Sequence, residues 1–212
     1  TDRSGTFIGY AAGNHYNGVT GYGEVFVGVN AGYNTTTGTG NTFVGGSSAY
    51  ANTTGSGNSA FGAASLNTNS TGINNTAIGY AALASNTTAS NNTAVGYQAG
   101  YSIGTSGNNT FLGTAAGFSI TSQSNVFIGY YAGQGAAGTS NGGNVAIGAA
   151  AGLGITTGYM NTIVGSCIYG STGAAGQGLS TGIYNTFIGP ASGQLVTTGA
   201  KNTILGAYSG NS

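Results

Sequence analysis

A short apolar motif that ends in glycine recurs twelve times along the chain, and it constrains the fold more than any other feature. Copies such as TFIG, TAIG and VAIG follow one another at a basic spacing of 17 residues, with a few longer intervals. A fixed period of this length is typical of a solenoid, whose repeats bury a core only by stacking on their neighbours. The array runs through residues 1–212 without a linker, so we expect one repeat domain.

The composition favours β-coils over helices as the repeating unit. Gly supplies 44 of the 212 residues, and each would cost about 1 kcal/mol in a helix interior. The motif itself is β-branched and aromatic, which is typical of a strand. Stacked at about 4.8 Å, such strands form a continuous sheet. We therefore predict an all-β fold, a parallel β-solenoid or β-roll of twelve coils of about 17 residues.

The residue before each motif glycine is always large and apolar. Period-two alternation in the strand places it on the same face as the Thr or Val two residues earlier. We predict that this face is buried and that the pre-glycine residues form the core column: Ile8, Val27, Val44, Phe61, Ile78, Val95, Leu112, Ile128, Ile147, Val164, Ile188 and Leu205.

An asparagine stands four residues before the glycine in ten of the twelve copies. Stacked side-chain amides can bond from coil to coil and satisfy the backbone of the corner where the strand begins. We predict a structural ladder of Asn41, Asn58, Asn75, Asn92, Asn109, Asn125, Asn144, Asn161, Asn185 and Asn202.

The chain has few side chains that carry chemistry. It has two basic and two acidic residues, one His and one Cys, so we expect no enzyme, no metal site and no cofactor. Two cations cannot neutralise a run of phosphates, which argues against nucleic-acid binding. No apolar stretch is long enough for a membrane-spanning helix.

Loop tyrosines are the candidate ligand residues, because aromatic rings with nearby Asn, Ser and Thr can stack on sugars and bond to them. Those outside the core motif are Tyr16, Tyr22, Tyr159 and Tyr184. The tyrosines directly after a motif glycine, such as Tyr80 and Tyr97, we interpret as a structural column. The 24-residue interval from Gly165 to Gly189 predicts a loop that leaves the coil within residues 171–182.

The segments NTAIGYAA at 75–82, NTAVGYQA at 92–99 and NVAIGAAA at 144–151 resemble the YadA-like head repeats of trimeric autotransporter adhesins, which also occur in bacteriophage tail fibres. The resemblance covers nearly every unit, but the unit here has 17 residues, and Phe replaces Ala in several copies. It implies a left-handed β-roll in which three chains wind around one axis. Small residues at fixed positions and the little apolar area that a thin coil buries also favour an oligomer, and we expect a homotrimeric rod.

We therefore expect a structural and adhesive segment of a longer extracellular fibre chain, from a phage tail fibre or a bacterial surface adhesin. Its expected partners are copies of itself, as a trimer or a filament, and a host-surface glycan or receptor. Two alternatives remain open at this stage, a carbohydrate-binding module and an ice-binding solenoid. Ice binding requires regular outward ranks of threonine, and outside the strand motif the threonines look scattered in the sequence.

Overall fold

The chain is an all-β parallel solenoid, which confirms the predicted fold class. The computed structural model describes residues 5–17, 23–135, 142–166 and 173–210, and these contain strands and turns but no helix. They divide into two compact units, Thr1–Asn108 and Asn109–Ser212. In the first unit the strands are β1 Gly5–Ile8, β2 Glu24–Val27, β3 Thr42–Val44, β4 Ser59–Phe61, β5 Thr76–Ile78 and β6 Thr93–Val95. In the second they are β7 Thr110–Leu112, β8 Val126–Ile128, β9 Val145–Ile147, β10 Thr162–Val164, β11 Thr186–Ile188 and β12 Thr203–Leu205.

Stacking in register extends beyond the strands. Within each unit, each strand pairs in parallel with the next, and equivalent motif positions face each other, as in Ala60 with Ala77 and Phe187 with Ile204. The corners stack in the same way, because the amide of Leu66 donates to the carbonyl of Ala82 at 2.9 Å. Backbone bonds between coils therefore continue around much of each turn, which explains how strands of three or four residues persist.

The predicted core column is wrong, because the residues before the motif glycines lie on the outer surface. Ile8 is 58% exposed and Ile78 is 40% exposed, and every other member of the column is exposed or partly exposed. The alternation of the strand was predicted correctly, but its two faces were exchanged. The ladder asparagine is buried two residues before the strand centre, so alternation turns the strand centre inward and its two neighbours outward.

The true core is the strand-centre column, together with two small-residue corners. Its members in the first unit are Phe7, Phe26, Phe43, Ala60, Ala77 and Ala94, and in the second unit Phe111, Phe127, Ala146, Ile163, Phe187 and Ile204. Ten of these twelve side chains are fully buried, and those of the two end coils, Phe7 and Ile204, are half-buried. The interior of each coil is thus one side chain wide at the strand.

Side-chain volume in the core is shared between the strand centre and the residue four positions after the motif glycine. Where the centre is Phe26, the second position is Gly32, and a Cβ there would lie 2.7 Å from the phenyl ring. Where the centre is Ala60 or Ala77, the second position is Leu66 or Leu83, both fully buried. In these three coils one large side chain therefore fills the same space from either side. The coils of Ala94 and Ala146 carry Gly at the second position, and Ile103 and Ile155 are the large buried side chains there.

The ladder asparagines connect successive coils. The backbone amide of Asn75 donates to Oδ1 of Asn58 at 2.9 Å, and its Nδ2 donates to the carbonyl of Ala89 at 2.9 Å. The same pattern continues in the second unit, where the amide of Asn161 donates to Oδ1 of Asn144 at 3.1 Å. Each side chain thus satisfies buried backbone groups that the turn would otherwise leave unpaired.

A second buried asparagine ladder was not predicted from the sequence. Asn52, Asn69 and Asn86 are fully buried at the corner that follows the small-residue turn. Nδ2 of Asn69 donates to Oδ1 of Asn52 at 2.8 Å, and Nδ2 of Asn86 donates to Oδ1 of Asn69 at 2.7 Å. Later coils carry Ile103, Ile120 or Ile155 at this position, so the column changes from polar to apolar along the chain and gives no single sequence signal.

The prediction of a loop within residues 171–182 is wrong for residues 173–182, the part of this segment that the structure describes. Ala174, Ala175 and Leu179 are fully buried, and the amide of Gly176 donates to the carbonyl of Ser192 at 3.0 Å. These residues form the ordinary turn of a coil. The extra length of this repeat therefore falls between strand β10 and Gly173, and residues 167–172 lie outside the described residues.

Candidate functional site

The outer face of the strands carries a continuous apolar rank in each unit. The pre-glycine side chains point outward beside an outward rank of Thr, Val and Ser. A coil spacing of about 4.8 Å brings neighbouring side chains of a rank into contact distance. Its most exposed members are Ile8, Phe61, Ile78, Leu112, Ile147, Ile188 and Leu205.

Tyrosines line one edge of this face. Tyr80 and Tyr97, each directly after a motif glycine, are exposed and stack with ring centroids 5.6 Å apart and an interplanar angle of 13°. Tyr10 and Tyr130 occupy the same coil position and are also exposed. Of these four, only Tyr80 and Tyr97 stand on adjacent coils, so the expected column is reduced to one stacked pair, which lies on the surface and widens the apolar strip of the first unit.

The four predicted ligand tyrosines have different environments. Tyr16 is 1% exposed and packs against Phe7 and Phe26, with ring centroids 5.6 and 6.3 Å apart, so the prediction that it meets a ligand is wrong. It fills the corner that Asn or Ile fills in later coils. Tyr22 lies outside the described residues. Tyr159 and Tyr184 meet edge to face, with ring centroids 5.6 Å apart.

A surface cleft of about 420 Å³ opens beside Tyr159 in the second unit. Backbone bonds between successive coils form its floor: the amide of Gly143 donates to the carbonyl of Gln123, and the amide of Met160 to that of Gly142, both at 3.2 Å. The Nδ2 of the ladder residue Asn125 donates to the carbonyl of Gln123 at 3.2 Å. The remaining lining residues are Ser124 and Tyr159.

The residue before each ladder asparagine adopts a left-handed backbone conformation. In the first unit this position holds Gly or Asn, the residues that tolerate it best: Gly40, Gly57, Asn74, Asn91 and Asn108. In the second unit it holds Ser124, Gly143, Met160, Tyr184 and Lys201, with φ between 54° and 76°. The second unit thus places a bulky side chain at three of its five positions, whereas the first has Gly or Asn at all five.

Glu24 occupies the ladder position of the second coil. Its Oε2 accepts the backbone amide of Asn41 at 2.9 Å, while Oε1 is buried without a hydrogen-bond partner. Burial raises the pKa of this carboxyl to about 7, and the amides of Asn41 and Gly40 only partly oppose the shift. Tyr16 is the titratable group that interacts with it, and its own pKa is raised by burial and by the Glu24 charge. The ladder therefore begins on a carboxyl that is half protonated near neutrality.

Threonines also line up on a second surface of the first unit, contrary to the scattered arrangement expected from the sequence. Thr36, Thr53, Ser70 and Thr87 donate their hydroxyls to carbonyls of the next coil at 2.9–3.2 Å. The residue after each of these is an exposed threonine, and the next coil continues the rank: Thr37, Thr54, Thr71, Thr88 and Thr105.

Several kinds of site are not found in the described part of the chain. It has no group of three or more His, Cys, Asp and Glu side chains that could hold a metal ion. Within the same residues, no helix is long and apolar enough to cross a bilayer. Comparison with known proteins finds no matching family model, no similar curated protein and no similar solved structure. The surfaces above are therefore interpreted from their own chemistry.

Proposed function

We propose that the chain is a structural segment of an extracellular adhesive fibre, on a phage tail or a cell surface, whose copies associate through the outer face of the strands. The observation that carries this proposal is the exposed pre-glycine rank. Soluble monomers rarely expose contiguous apolar patches of more than a few hundred Å², and larger ones mark interaction sites. A second copy of the chain is the occupant that matches this rank, because it offers the same apolar spacing.

The near absence of charge supports association between identical chains. The formal net charge is zero and only four residues are charged, so identical faces meet without repulsion. A coil-by-coil repeat also keeps two copies in register along their length. The resemblance to head repeats of trimeric adhesins leads us to propose a homotrimer, with the apolar ranks around the common axis.

Disulfide trapping tests this arrangement. In a Cys167→Ser background, Ile78→Cys should cross-link copies of the chain under mild oxidation, because the proposed interface brings identical positions together. Ser56→Cys, on another surface of the same unit, is the matched control and should stay uncross-linked. Cross-linking of both variants at equal rates, or of neither, would contradict the proposed interface.

The threonine rank favours a second candidate function, ice binding. Thr37, Thr54, Thr71, Thr88 and Thr105 present hydroxyl and methyl groups at the coil spacing of about 4.8 Å. Measurement of ice-recrystallisation inhibition tests it: Thr71→Tyr should abolish the inhibition. Asn74→Tyr, at an exposed position of the same coil outside the rank, should not, since the equivalent position of the second unit already holds Tyr184. Wild-type protein without any inhibition would exclude this candidate.

A further inference from the structure

We propose that the cleft beside Tyr159 binds a neutral oligosaccharide, which stacks on the Tyr159 ring and bonds to Gln123 and Ser124. The proposal deepens the adhesive part of the proposed function by naming its ligand class. It is independent of the self-association part, because every lining residue belongs to one chain and one unit.

The chemistry of the lining points to a sugar. Tyr159 supplies an aromatic ring, Gln123 an amide that donates and accepts, and Ser124 a hydroxyl that does both. A sugar ring presents C–H groups on its faces and hydroxyls at its rim, and these match an aromatic platform with polar groups around it. The cleft contains no charged side chain, so it offers nothing to balance a phosphate or a carboxylate.

The backbone around the cleft supplies an independent argument. Met160 and Tyr184 have φ values of 54° and 57°, a conformation that costs roughly 1–2 kcal/mol for residues with a large side chain. The first unit shows that Gly or Asn satisfies the fold at the same position. Met160 is 54% exposed and Tyr184 51%, so neither side chain serves to fill the core. Two large exposed side chains therefore stand beside the cleft where the first unit has Gly or Asn.

The positions of the two aromatic rings support the same assignment. The amide of Tyr184 donates to the carbonyl of Tyr159 at 3.2 Å, so adjacent coils present the two tyrosines side by side. The edge of one ring meets the face of the other, which restrains Tyr159 at the rim of the cleft. A ligand therefore meets a platform that is already ordered, which lowers the entropic cost of binding.

Titration with soluble oligosaccharides tests the proposal. The probes are maltohexaose, cellohexaose and chitohexaose, followed by saturation-transfer NMR and by tyrosine fluorescence, since the chain has no Trp. At least one probe should bind the wild-type chain, and Tyr159→Ala should lower the affinity for that probe about tenfold or more. Tyr159→Phe should keep most of the affinity, because it keeps the ring. Tyr50→Ala, which removes an exposed stacked tyrosine of the first unit, is the control and should change the affinity less than twofold.

Met160→Asn distinguishes a binding role from a structural one. Asn adopts the left-handed conformation readily, so this variant should melt at the same or a higher temperature than wild type. It should bind the oligosaccharide more weakly, because it removes an apolar side chain that lines the cleft beside Tyr159. No binding of any probe at about 10 mM would overturn the proposal. Equal losses from Tyr159→Ala and Tyr50→Ala, or a Met160→Asn variant that binds as wild type does, would also overturn it. The oligomeric mass of each variant is also measured, so that a loss of oligosaccharide binding can be distinguished from a loss of self-association.

Discussion

At the residue scale, the shared volume inside a coil makes a compensation experiment possible. Ala77→Phe overfills the core of its coil and should destabilise the chain by about 1–3 kcal/mol. Leu83→Gly leaves a cavity and should cost about 2–5 kcal/mol. The double variant recreates the Phe and Gly pair seen at Phe26 and Gly32, so it should be more stable than either single variant in urea unfolding. Additive losses would contradict the shared-volume account.

The ladder asparagines should be far less tolerant than the exposed asparagines beside them. Asn75→Ala removes acceptors and donors for buried backbone groups and should cost about 1–3 kcal/mol. Asn74→Gly is the matched control one residue away. Asn74 is exposed and left-handed, a conformation that Gly also adopts, so this change should stay within about 0.5 kcal/mol. Equal melting temperatures for the two variants would contradict a stabilising role of the asparagine ladder.

Glu24 should make the stability of the chain depend on pH. Its pKa of about 7 in the folded coil exceeds the ordinary value of 4.5, so the folded state holds the proton more tightly than the unfolded state. The resulting stability is fully present below about pH 4.5 and is lost as the pH rises through about 7. We expect a loss on the order of 1–3 kcal/mol across this window.

Melting temperatures measured between pH 4.5 and 8 check this dependence. Glu24→Gln keeps an acceptor for the amide of Asn41 but cannot ionise, so its melting temperature should stay nearly constant across the same range. A wild-type chain that becomes more stable with rising pH would show that the sign of the pKa shift is wrong.

At the element scale, the corner after each strand depends on a glycine for two reasons. Gly62 has φ +133°, and a Cβ there would lie 2.5 Å from the carbonyl oxygen of Gly79 in the next coil. Gly62→Ala should therefore disturb the stacking of two coils and lower the melting temperature clearly. Gly46→Ala, where a Cβ meets nothing within 4 Å, should leave it unchanged. Circular dichroism melts of the two variants make the comparison, and equal curves would contradict the close approach.

The period of 17 residues, the parallel stacking and the asparagine column could all be read from the sequence, because each depends on a residue type that recurs at a fixed place. The inward face of the strand could not be assigned from hydrophobicity alone. Ile78 is more apolar than Ala77, yet Ala77 is buried and Ile78 is exposed. A ladder side chain that points inward sets the alternation, so the position of Asn75 was the signal that would have identified the core.

The candidate site was only partly predictable for a related reason. Tyr159 and Tyr184 were singled out as aromatic residues outside the motif, but Tyr16 fits the same description and is buried. Gln123, Ser124 and Met160 carry no sequence signal, because coil stacking brings them to one cleft from two different repeats. The left-handed column that distinguishes the two units becomes visible only with backbone angles.

At the scale of the whole molecule, the face proposed to join copies lies apart from the surface proposed to bind a ligand. The apolar strip follows the strands of each unit, whereas the cleft belongs to the turns that precede the ladder asparagines. Because the chain has almost no charge, association through the strip should be nearly indifferent to ionic strength. An oligomer that dissociates at high salt concentration would indicate that the copies associate through another interface.

The mass of the particle in solution tests the central claim, that the pre-glycine column faces outward and joins copies of the chain. Multi-angle light scattering should give three times the chain mass of 20.4 kDa for wild type. Ile78→Asp places a charge on the proposed interface but outside the coil core, so it should lower the mass towards that of one chain while the circular dichroism spectrum is kept. A wild-type mass of a single chain, or an Ile78→Asp variant that unfolds, would contradict the account.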